Sequence, residues 1–293
     1  APKGSAAQQV SDFYASYMDT KAIEARGLTP IQSDLAAIEA IKTKADLTAL
    51  IARHFREGVR TPISGWIDID SKNPNRYLVR FWQGGLSFGD RDYYLKDTDE
   101  FKTLRAAFVA HAGRMLNMAG FKDGPAQAAQ ILALETTLAK DYWPVEKSRD
   151  DELTYNLWRK ADFSSKAPGI DWPSVFKIAG IDGQSEFLVS QPEAFAAIAR
   201  AVDRMPLEQW KSYLRYQVLQ SWATSLPARF EDERFAFYGK ALRGQKAQQE
   251  RWKRGMDLLD GVLGEAIGQV YVAKHFPPSA KADVLGMVAV FKR

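Results

Sequence analysis

The chain contains no cysteine and only three histidines in 293 residues. Without cysteine there is no disulfide framework, no thiolate metal ligand and no thiol nucleophile. The string His-Glu-x-x-His, in which one helix presents two zinc ligands and a general base, is absent, and so is the phosphate-binding P-loop. His54, His111 and His275 lie far apart, and none has a second histidine four residues away. No metal site is expected in this chain, with a zinc site that draws on all three as the alternative. His111, on an apolar helix face, is expected to be a hydrogen-bonded core residue.

Long apolar runs and a strong charge of one sign are also missing. No stretch approaches the roughly 18 apolar residues that predict a membrane span, and 40 basic residues are spread among 36 acidic ones. The densest basic run, Arg251–Arg254, is predicted to be a solvated helix face, with phosphate binding as the alternative. We expect neither a membrane span in this chain nor a nucleic-acid partner.

Hydrophobic periodicity predicts a mainly α fold. Apolar residues recur at helical spacing along most of the chain, as in Leu47–Phe55 and Leu104–Met118. The exception is 61–83, where alternating residues on either side of the loop Ser71–Asn75 predict a pair of strands. Tyr142–Gly183 is predicted to be loops around one short helix. The expected fold is a large helical domain with one small β-hairpin.

The last predicted helix, from about Gln248 to Lys274, carries Gly261, Gly264 and Gly268 on one side. Each glycine costs a helix up to about 1 kcal/mol relative to alanine, and a close approach by another backbone would compensate for it. The helix is apolar over much of its circumference, which is typical of a central helix packed on several sides. One of those sides is available for a partner segment.

Several segments, in order along the chain, resemble a known family. They are Asp12–Asp19 with Arg26-Gly27, Gly85-Leu86 with Asp90–Leu95, Arg149-Asp150 with Tyr155-Asn156, Trp252–Arg254 and Gly264–Val272. Together they resemble the M13 family of zinc metallopeptidases, the neprilysin-like enzymes, from about residue 8 to residue 285. The chain departs from the family at Ser87-Phe88-Gly89, where the family usually has Gly-Leu-Pro.

The resemblance implies a fold of two lobes around a closed chamber, with zinc in one lobe and a largely helical lobe that caps the chamber. This chain resembles the capping lobe of a peptidase for short peptides. No position matches the family's zinc ligands or catalytic glutamate, so no catalytic or metal residue is expected here, and substrate-binding residues are unknown. A zinc-bearing catalytic segment or second chain is the expected partner. A bacterial protein in the periplasm or outside the cell is expected.

The resemblance also bears on the limits of the domain and on two charged clusters. Residues 1–9 have no apolar signal core and are predicted to be a leader or linker, 10–285 the capping lobe, and 286–293 the start of a linker to an absent zinc domain. Glu146 and Asp150 have the spacing of a family metal-ligand pair, but no His-Glu-x-x-His helix precedes them, so no metal is expected there. Arg91, between two aspartates, is expected to be a paired structural charge, with binding of a peptide carboxylate as the alternative.

Two other functions stay open. One is a catalytically inactive lobe that binds peptides or regulates a full-length relative. The other is a helical scaffold whose ancestry is incidental. A segment of a larger peptidase is expected to expose an apolar patch larger than monomers usually have, which distinguishes it from the scaffold.

Overall fold

The computed structural model describes residues 1–292, which contain fifteen α-helices and four β-strands and confirm the predicted mainly helical fold. The helices are α1 (Ala6–Met18), α2 (Thr20–Arg26), α3 (Gln32–Glu39), α4 (Lys44–Glu57), α5 (Asp92–Leu95), α6 (Asp99–Met118), α7 (Gly124–Ala139), α8 (Val145–Ser148), α9 (Phe163–Lys166), α10 (Trp172–Ala179), α11 (Pro192–Arg204), α12 (Leu207–Trp222), α13 (Ala228–Arg234), α14 (Arg251–His275) and α15 (Pro278–Phe291). The strands are β1 (Ile63–Asp70), β2 (Asn73–Gln83), β3 (Leu157–Arg159) and β4 (Glu186–Val189). The chain divides into two compact units, Gly27–Gln245 and Ala1–Arg26 with the residues from Lys246 onward.

The predicted hairpin is present, but it belongs to a larger sheet. β1 and β2 pair antiparallel from Ile63 with Gln83 to Asp70 with Asn73, so the turn is shorter than the predicted loop. β4 pairs parallel to β2, and β3 pairs antiparallel to β4, which gives the strand order β1-β2-β4-β3. The prediction of loops around one short helix in Tyr142–Gly183 was wrong, because that segment contains β3, a 3-10 helix at Lys160–Asp162 and three short α-helices. Elements of three or four residues are too short to show a hydrophobic period.

Aromatic side chains form the core of the larger unit. The ring of Phe81, on β2, lies within 6.4 Å of the rings of Phe163, Phe176, Phe187 and Phe195. These residues come from β2, α9, α10, β4 and α11, so one cluster joins the sheet to the helices that cover it. Large buried rings contribute more than their area alone when they pack in tilted or edge-on pairs. This cluster fixes the end of β2, from which the candidate site begins.

The smaller unit is built around the pairing of α1 with α14. Arg251 lies over the ring of Tyr17 and donates hydrogen bonds to the Tyr17 carbonyl, so the basic run is only partly a solvated face. The predicted last helix is α14, which is interrupted at Leu263 (φ −127°, ψ 26°), and a further helix, α15, follows it. α1 already begins at Ala6. The division into a leader at 1–9, a lobe at 10–285 and a linker at 286–293 stays a prediction.

The three glycines of α14 do not meet another backbone within the described chain. A Cβ atom at Gly261 or Gly268 would have nothing within 4 Å, and one at Gly264 would meet only the Asp260 carboxylate at 3.6 Å. The apolar residues Val262 and Tyr271 on the same helix are exposed. The expectation of a helix packed on several sides is therefore wrong for residues 1–292 taken alone.

Candidate functional site

The loop that follows β2 approaches its neighbours so closely that two positions require glycine. Gly84 donates its N–H to the Pro62 carbonyl at 2.8 Å, and a Cβ atom there would lie 2.4 Å from the Ser64 hydroxyl oxygen and 3.2 Å from the Thr61 carbonyl oxygen. Gly85 has φ of +78°, and a Cβ atom there would lie 2.1 Å from the Tyr213 hydroxyl oxygen. That hydroxyl donates to the Gly85 carbonyl at 3.0 Å. Any side chain at Gly85 would therefore both strain the backbone and displace a buried hydrogen bond.

Glu135, a buried carboxylate on α7, holds the same loop through hydrogen bonds. Glu135 is fully buried and accepts hydrogen bonds from the Ser87 N–H (3.0 Å), the Ser87 hydroxyl (2.7 Å) and the Tyr94 hydroxyl (2.5 Å). Burial raises the pKa of Glu135 to about 7, although these hydrogen bonds oppose the rise. The sequence analysis missed this residue. Its signal was a single carboxylate on the apolar stripe of Ile131, Leu134 and Leu138.

Ser87 does not form a serine nucleophile. Gly85-Leu86-Ser87-Phe88-Gly89 has the Gly-x-Ser-x-Gly spacing of an α/β-hydrolase elbow, and the sequence analysis missed this string. An elbow needs a sharp strand-to-helix turn and a histidine beside the serine. Here a loop separates β2 from α5, and the buried Ser87 hydroxyl donates to Glu135. The spacing is therefore part of a structural loop.

Arg91 has a structural role, but not with the partners that its neighbours suggested. Its guanidinium donates to the carbonyls of Tyr142 (2.7 Å) and Lys140 (3.2 Å), beyond the end of α7. Asp92 instead pairs with Lys96 at 2.7 Å, and Asp90 accepts the Asp92 N–H. Because its partners are carbonyls, the positive charge of Arg91 is not neutralised by them.

Beside this loop lies a cleft of about 520 Å³, which we call the arginine cleft. Its polar lining includes Arg60, Arg91 and Arg149, and its aromatic walls are Trp82, Tyr142 and Trp143. The segments that supply these residues are brought together by two sets of hydrogen bonds. Gln83 exchanges hydrogen bonds with the backbone of Trp143 at 2.8 and 2.9 Å, and the Tyr142 hydroxyl donates to the Gly84 carbonyl at 2.9 Å.

Two histidines are core residues rather than exposed ligands. His111 Nδ1 lies 2.9 Å from Glu233 Oε1, and its ring stacks on Phe237 with a centroid distance of 4.9 Å. His54 is fully buried, and its Nε2 lies 3.6 Å from Asp34 Oδ1. Burial lowers the pKa of both imidazoles, so they are neutral near pH 7. His275 lies in the last turn of α14, next to Tyr271.

The described residues do not provide a donor set for zinc. Within residues 1–292, no group of three or more histidine and carboxylate side chains is placed to hold a metal ion. Asp150, half of the Glu146/Asp150 spacing, accepts the N–H groups of Glu152 and Leu153 and so organises a turn. A structural zinc site needs four convergent ligands and a catalytic one at least three. The stretch from Ala1 to Lys292 also contains no helix with the length and hydropathy for crossing a membrane.

Comparison with known proteins identifies the family. The family model described as peptidase family M13 matches residues 1–293. The chain belongs to peptidase family M13. This family consists of zinc metalloendopeptidases, and the match is to its N-terminal, helical portion.

Relatives of this M13 chain include enzymes and solved structures. Human endothelin-converting enzyme 1 is 26% identical over 255 residues, which are 85% of this chain and 33% of that protein. Neprilysin-11 of Caenorhabditis elegans is 28% identical over 264 residues, 84% of this chain and 31% of that protein. The zinc metalloprotease Zmp1 of Mycobacterium tuberculosis, in an open state, is 35% identical with a TM-score of 0.93, over 99% of this chain and 45% of that chain. PepO of Lactobacillus rhamnosis, 18% identical with a TM-score of 0.82 over 99% of this chain and 46% of that chain, shows the shared fold.

The lengths of these matches limit what they establish for the M13 chain. It spans about a third of the length of the curated relatives and under half of the Zmp1 chain. The family and the fold are therefore settled. The activity of a whole protein, its substrates and its partners are matters for proposal.

Proposed function

We propose that this chain is the capping lobe of an M13 zinc metallopeptidase that cleaves short peptides. The observation that carries this proposal is the superposition on Zmp1, which covers 99% of this chain but only 45% of the Zmp1 chain. In this proposal residues 10–285 form the lobe, and residues 286–293 begin the linker to the zinc domain. The lobe encloses the substrate chamber and excludes folded proteins.

We assign the zinc site to residues outside this chain. The donor set supports this assignment, because His54 and His111 are buried against carboxylates and no group of three ligands converges within residues 1–292. When bound to its own segment, zinc would activate water for attack on a peptide carbonyl. No residue of this chain takes part in that step in our proposal, and the chain alone is inactive.

The exposed apolar residues of the smaller unit support a partner segment. Leu285, Met287 and Phe291 on α15 are exposed, as are Val262 and Tyr271 on α14. Monomeric proteins rarely leave large contiguous apolar patches in water. In our proposal the zinc-bearing segment covers these helices. Because these apolar side chains need a covering partner, a segment of a larger peptidase is favoured over a scaffold that acts alone.

We also propose that the protein is bacterial and acts in the periplasm or outside the cell. The 35% identity with the Mycobacterium tuberculosis protein exceeds the 26–28% with the animal relatives cited above, which supports a bacterial origin. The location rests on family membership alone. Fractionation of the source cells, followed by immunodetection, tests it, and detection only in the cytoplasm would contradict it.

The proposed function is tested on native material from the source organism. Intact mass, zinc content and peptide cleavage are measured on one preparation. We expect the chain to co-purify with, or to continue into, a zinc-bearing segment, and we expect chelators to abolish cleavage. A lone 32.9 kDa species with neither zinc nor activity would contradict the proposal and favour the inactive peptide-binding protein.

A further inference from the structure

The arginine cleft carries more positive charge than its own contacts neutralise. The Arg149 guanidinium forms no hydrogen bond or ion pair with any residue from Ala1 to Lys292, and only the Arg149 backbone N–H is bonded, to the Glu146 carbonyl. Arg60 donates to the Leu86 carbonyl at 3.0 Å, and Arg91 donates to two carbonyls. Among the described residues that line the cleft, Asp90 is the one with an acidic side chain. Three guanidinium groups and one carboxylate leave an excess of two positive charges in a concave site.

The walls of the arginine cleft are already fixed. Trp143 is held through its backbone by Gln83, and its indole N–H donates to Glu193 at 2.7 Å. Lys147 lies over the Trp143 ring at 3.5 Å and pairs with Glu193 at 3.8 Å, so it fixes the wall without adding net charge. A site whose walls need no rearrangement loses less conformational entropy when a ligand binds.

Among the described residues that line the cleft, one buried polar atom lacks a partner. The Ser148 hydroxyl oxygen is shielded from solvent and makes no hydrogen bond. A buried hydroxyl without a partner carries a desolvation cost that a bound polar group removes. Ser148 precedes Arg149 at the end of α8, so the hydroxyl and the free guanidinium come from adjacent residues.

We propose that the arginine cleft binds a carboxylate carried by an extended peptide, and that Arg149 contacts the carboxylate directly. A planar guanidinium matches a carboxylate with two parallel hydrogen bonds. The aromatic walls accept the neighbouring apolar groups of the peptide, and about 520 Å³ is within the usual range for small-ligand sites. The carboxylate comes either from the C-terminus or from an acidic side chain of the peptide. The proposal rests on the charges of the cleft and holds whether or not the chain acts in a peptidase.

Calorimetric titration of the 293-residue chain at low ionic strength tests the proposal. The probes are N-acetylated trialanine as the free acid, the same peptide as its C-terminal amide, and an amidated peptide with one internal glutamate. Binding of the free acid alone identifies a C-terminal site, and binding of the glutamate peptide identifies a side-chain site. Equal binding of all three, or no binding, overturns the proposal, as does tighter binding of inorganic phosphate than of any peptide.

Two matched variants distinguish binding in the arginine cleft from a nonspecific effect of the net charge of the chain. Arg149→Gln is expected to weaken binding of the carboxylate peptide by at least about tenfold, as expected for loss of a charge-assisted hydrogen bond. Arg56→Gln removes the same charge from an exposed position on α4 that does not line the cleft, and is expected to change binding less than twofold. Arg149 makes no contact on which the fold depends, so its loss leaves the chain folded. Equal effects of the two variants would show that only net charge matters and would overturn the proposal.

Discussion

At the residue scale, two glycines of the loop after β2 have the same backbone conformation but different surroundings. Gly85 (φ +78°) lies against Tyr213, Pro62 and Thr61, whereas a Cβ atom at Gly89 (φ +84°) would have nothing within 4 Å. A non-glycine residue in the left-handed region costs about 1–2 kcal/mol. Overpacking in a filled site adds about 1–3 kcal/mol. We therefore expect Gly85→Ala to destabilise the chain by about 2 kcal/mol more than Gly89→Ala.

Urea denaturation of both variants and the unsubstituted chain measures this difference. The free energy of unfolding is compared at one pH, with circular dichroism as the probe. Equal losses for the two variants would show that the contacts around Gly85 yield without cost. In that case the loop would not be fixed as tightly as its hydrogen bonds indicate.

The titration of Glu135 makes the stability of the larger unit depend on pH, and a substitution at this position separates its effect from that of other groups. Burial raises its pKa to about 7 in the folded state, while the unfolded value stays near 4.5. Between these values the folded state binds the proton more tightly. The contribution of Glu135 to stability is therefore greatest below about pH 4.5, falls as the pH rises, and levels off above about pH 7. The shift corresponds to roughly 3 kcal/mol.

Glu135→Gln replaces the carboxyl by a neutral group of the same shape and removes this titration. The free energies of unfolding of both proteins are measured at pH 5 and pH 8. We expect the unsubstituted chain to lose about 2.5 kcal/mol relative to the variant over this interval, which begins above the unfolded pKa. Burial lowers the pKa of His54 and His111, which makes their contributions rise with pH, but both proteins share these. Parallel pH profiles would contradict a raised pKa for Glu135.

The candidate site shows which residues a sequence can reveal. The signature Asp90–Leu95 was visible as a motif, and a structural role for Arg91 was expected, although with the wrong partners. The arginine cleft was not predicted, because Arg60, Arg91 and Arg149 come from three distant segments. Only the pairing of β1 with β2 and the contacts at the end of α7 bring these segments together. No local sequence pattern predicts that these three segments come together in the fold.

At the element scale, α14 offers two glycines with opposite expected effects. A Cβ atom at Gly255 would lie 2.8 Å from the Tyr17 ring on α1, whereas one at Gly261 would meet nothing. Gly255→Ala is therefore expected to weaken the pairing of α1 with α14. Gly261→Ala adds only helix propensity and is expected to stabilise the helix by up to about 1 kcal/mol.

Hydrogen exchange of the α1 amides measures this pairing. Faster exchange is expected in Gly255→Ala and unchanged or slower exchange in Gly261→Ala. If Gly255→Ala left the α1 amides as protected as before, the close contact with Tyr17 would not hold the two helices together. Gly261→Ala is the matched control, since it makes the same substitution on the same helix.

Element length explains which parts of the fold the sequence predicted. β1 and β2 have eight and eleven residues, enough for alternation to show, whereas β3 and β4 have three and four. The pairing of β2 with β4 joins residues more than a hundred positions apart. For α14 the pattern correctly indicated apolar faces. It did not indicate whether this chain covers them, because a hydrophobic face is the same whichever chain packs on it.

At the scale of the whole molecule, the exposed side chains of α15 are the feature that requires a partner. Phe291 is 90% exposed, Met287 61% and Leu285 59%. Each apolar side chain of this size gains about 1.5–3 kcal/mol on full burial. We therefore expect the isolated chain to self-associate, and we expect glutamine at all three positions to suppress this association without loss of helix content.

The partner of α15 is identified by comparing this triple variant with a matched one. Ile67, Ile69 and Tyr77 on the hairpin are also exposed, so replacing them by glutamine removes a similar apolar area elsewhere. Both variants are introduced into the native protein, and sedimentation and chelator-sensitive peptide cleavage are measured. If the zinc-bearing segment covers α15, the α15 variant loses association with that segment and at least about tenfold in activity, while the hairpin variant keeps both. A polar side chain weakens assembly only where it is buried in the interface, because burying it without a hydrogen-bond partner costs free energy. Equal loss in the two variants, or none in either, would therefore place the contact with the catalytic segment elsewhere.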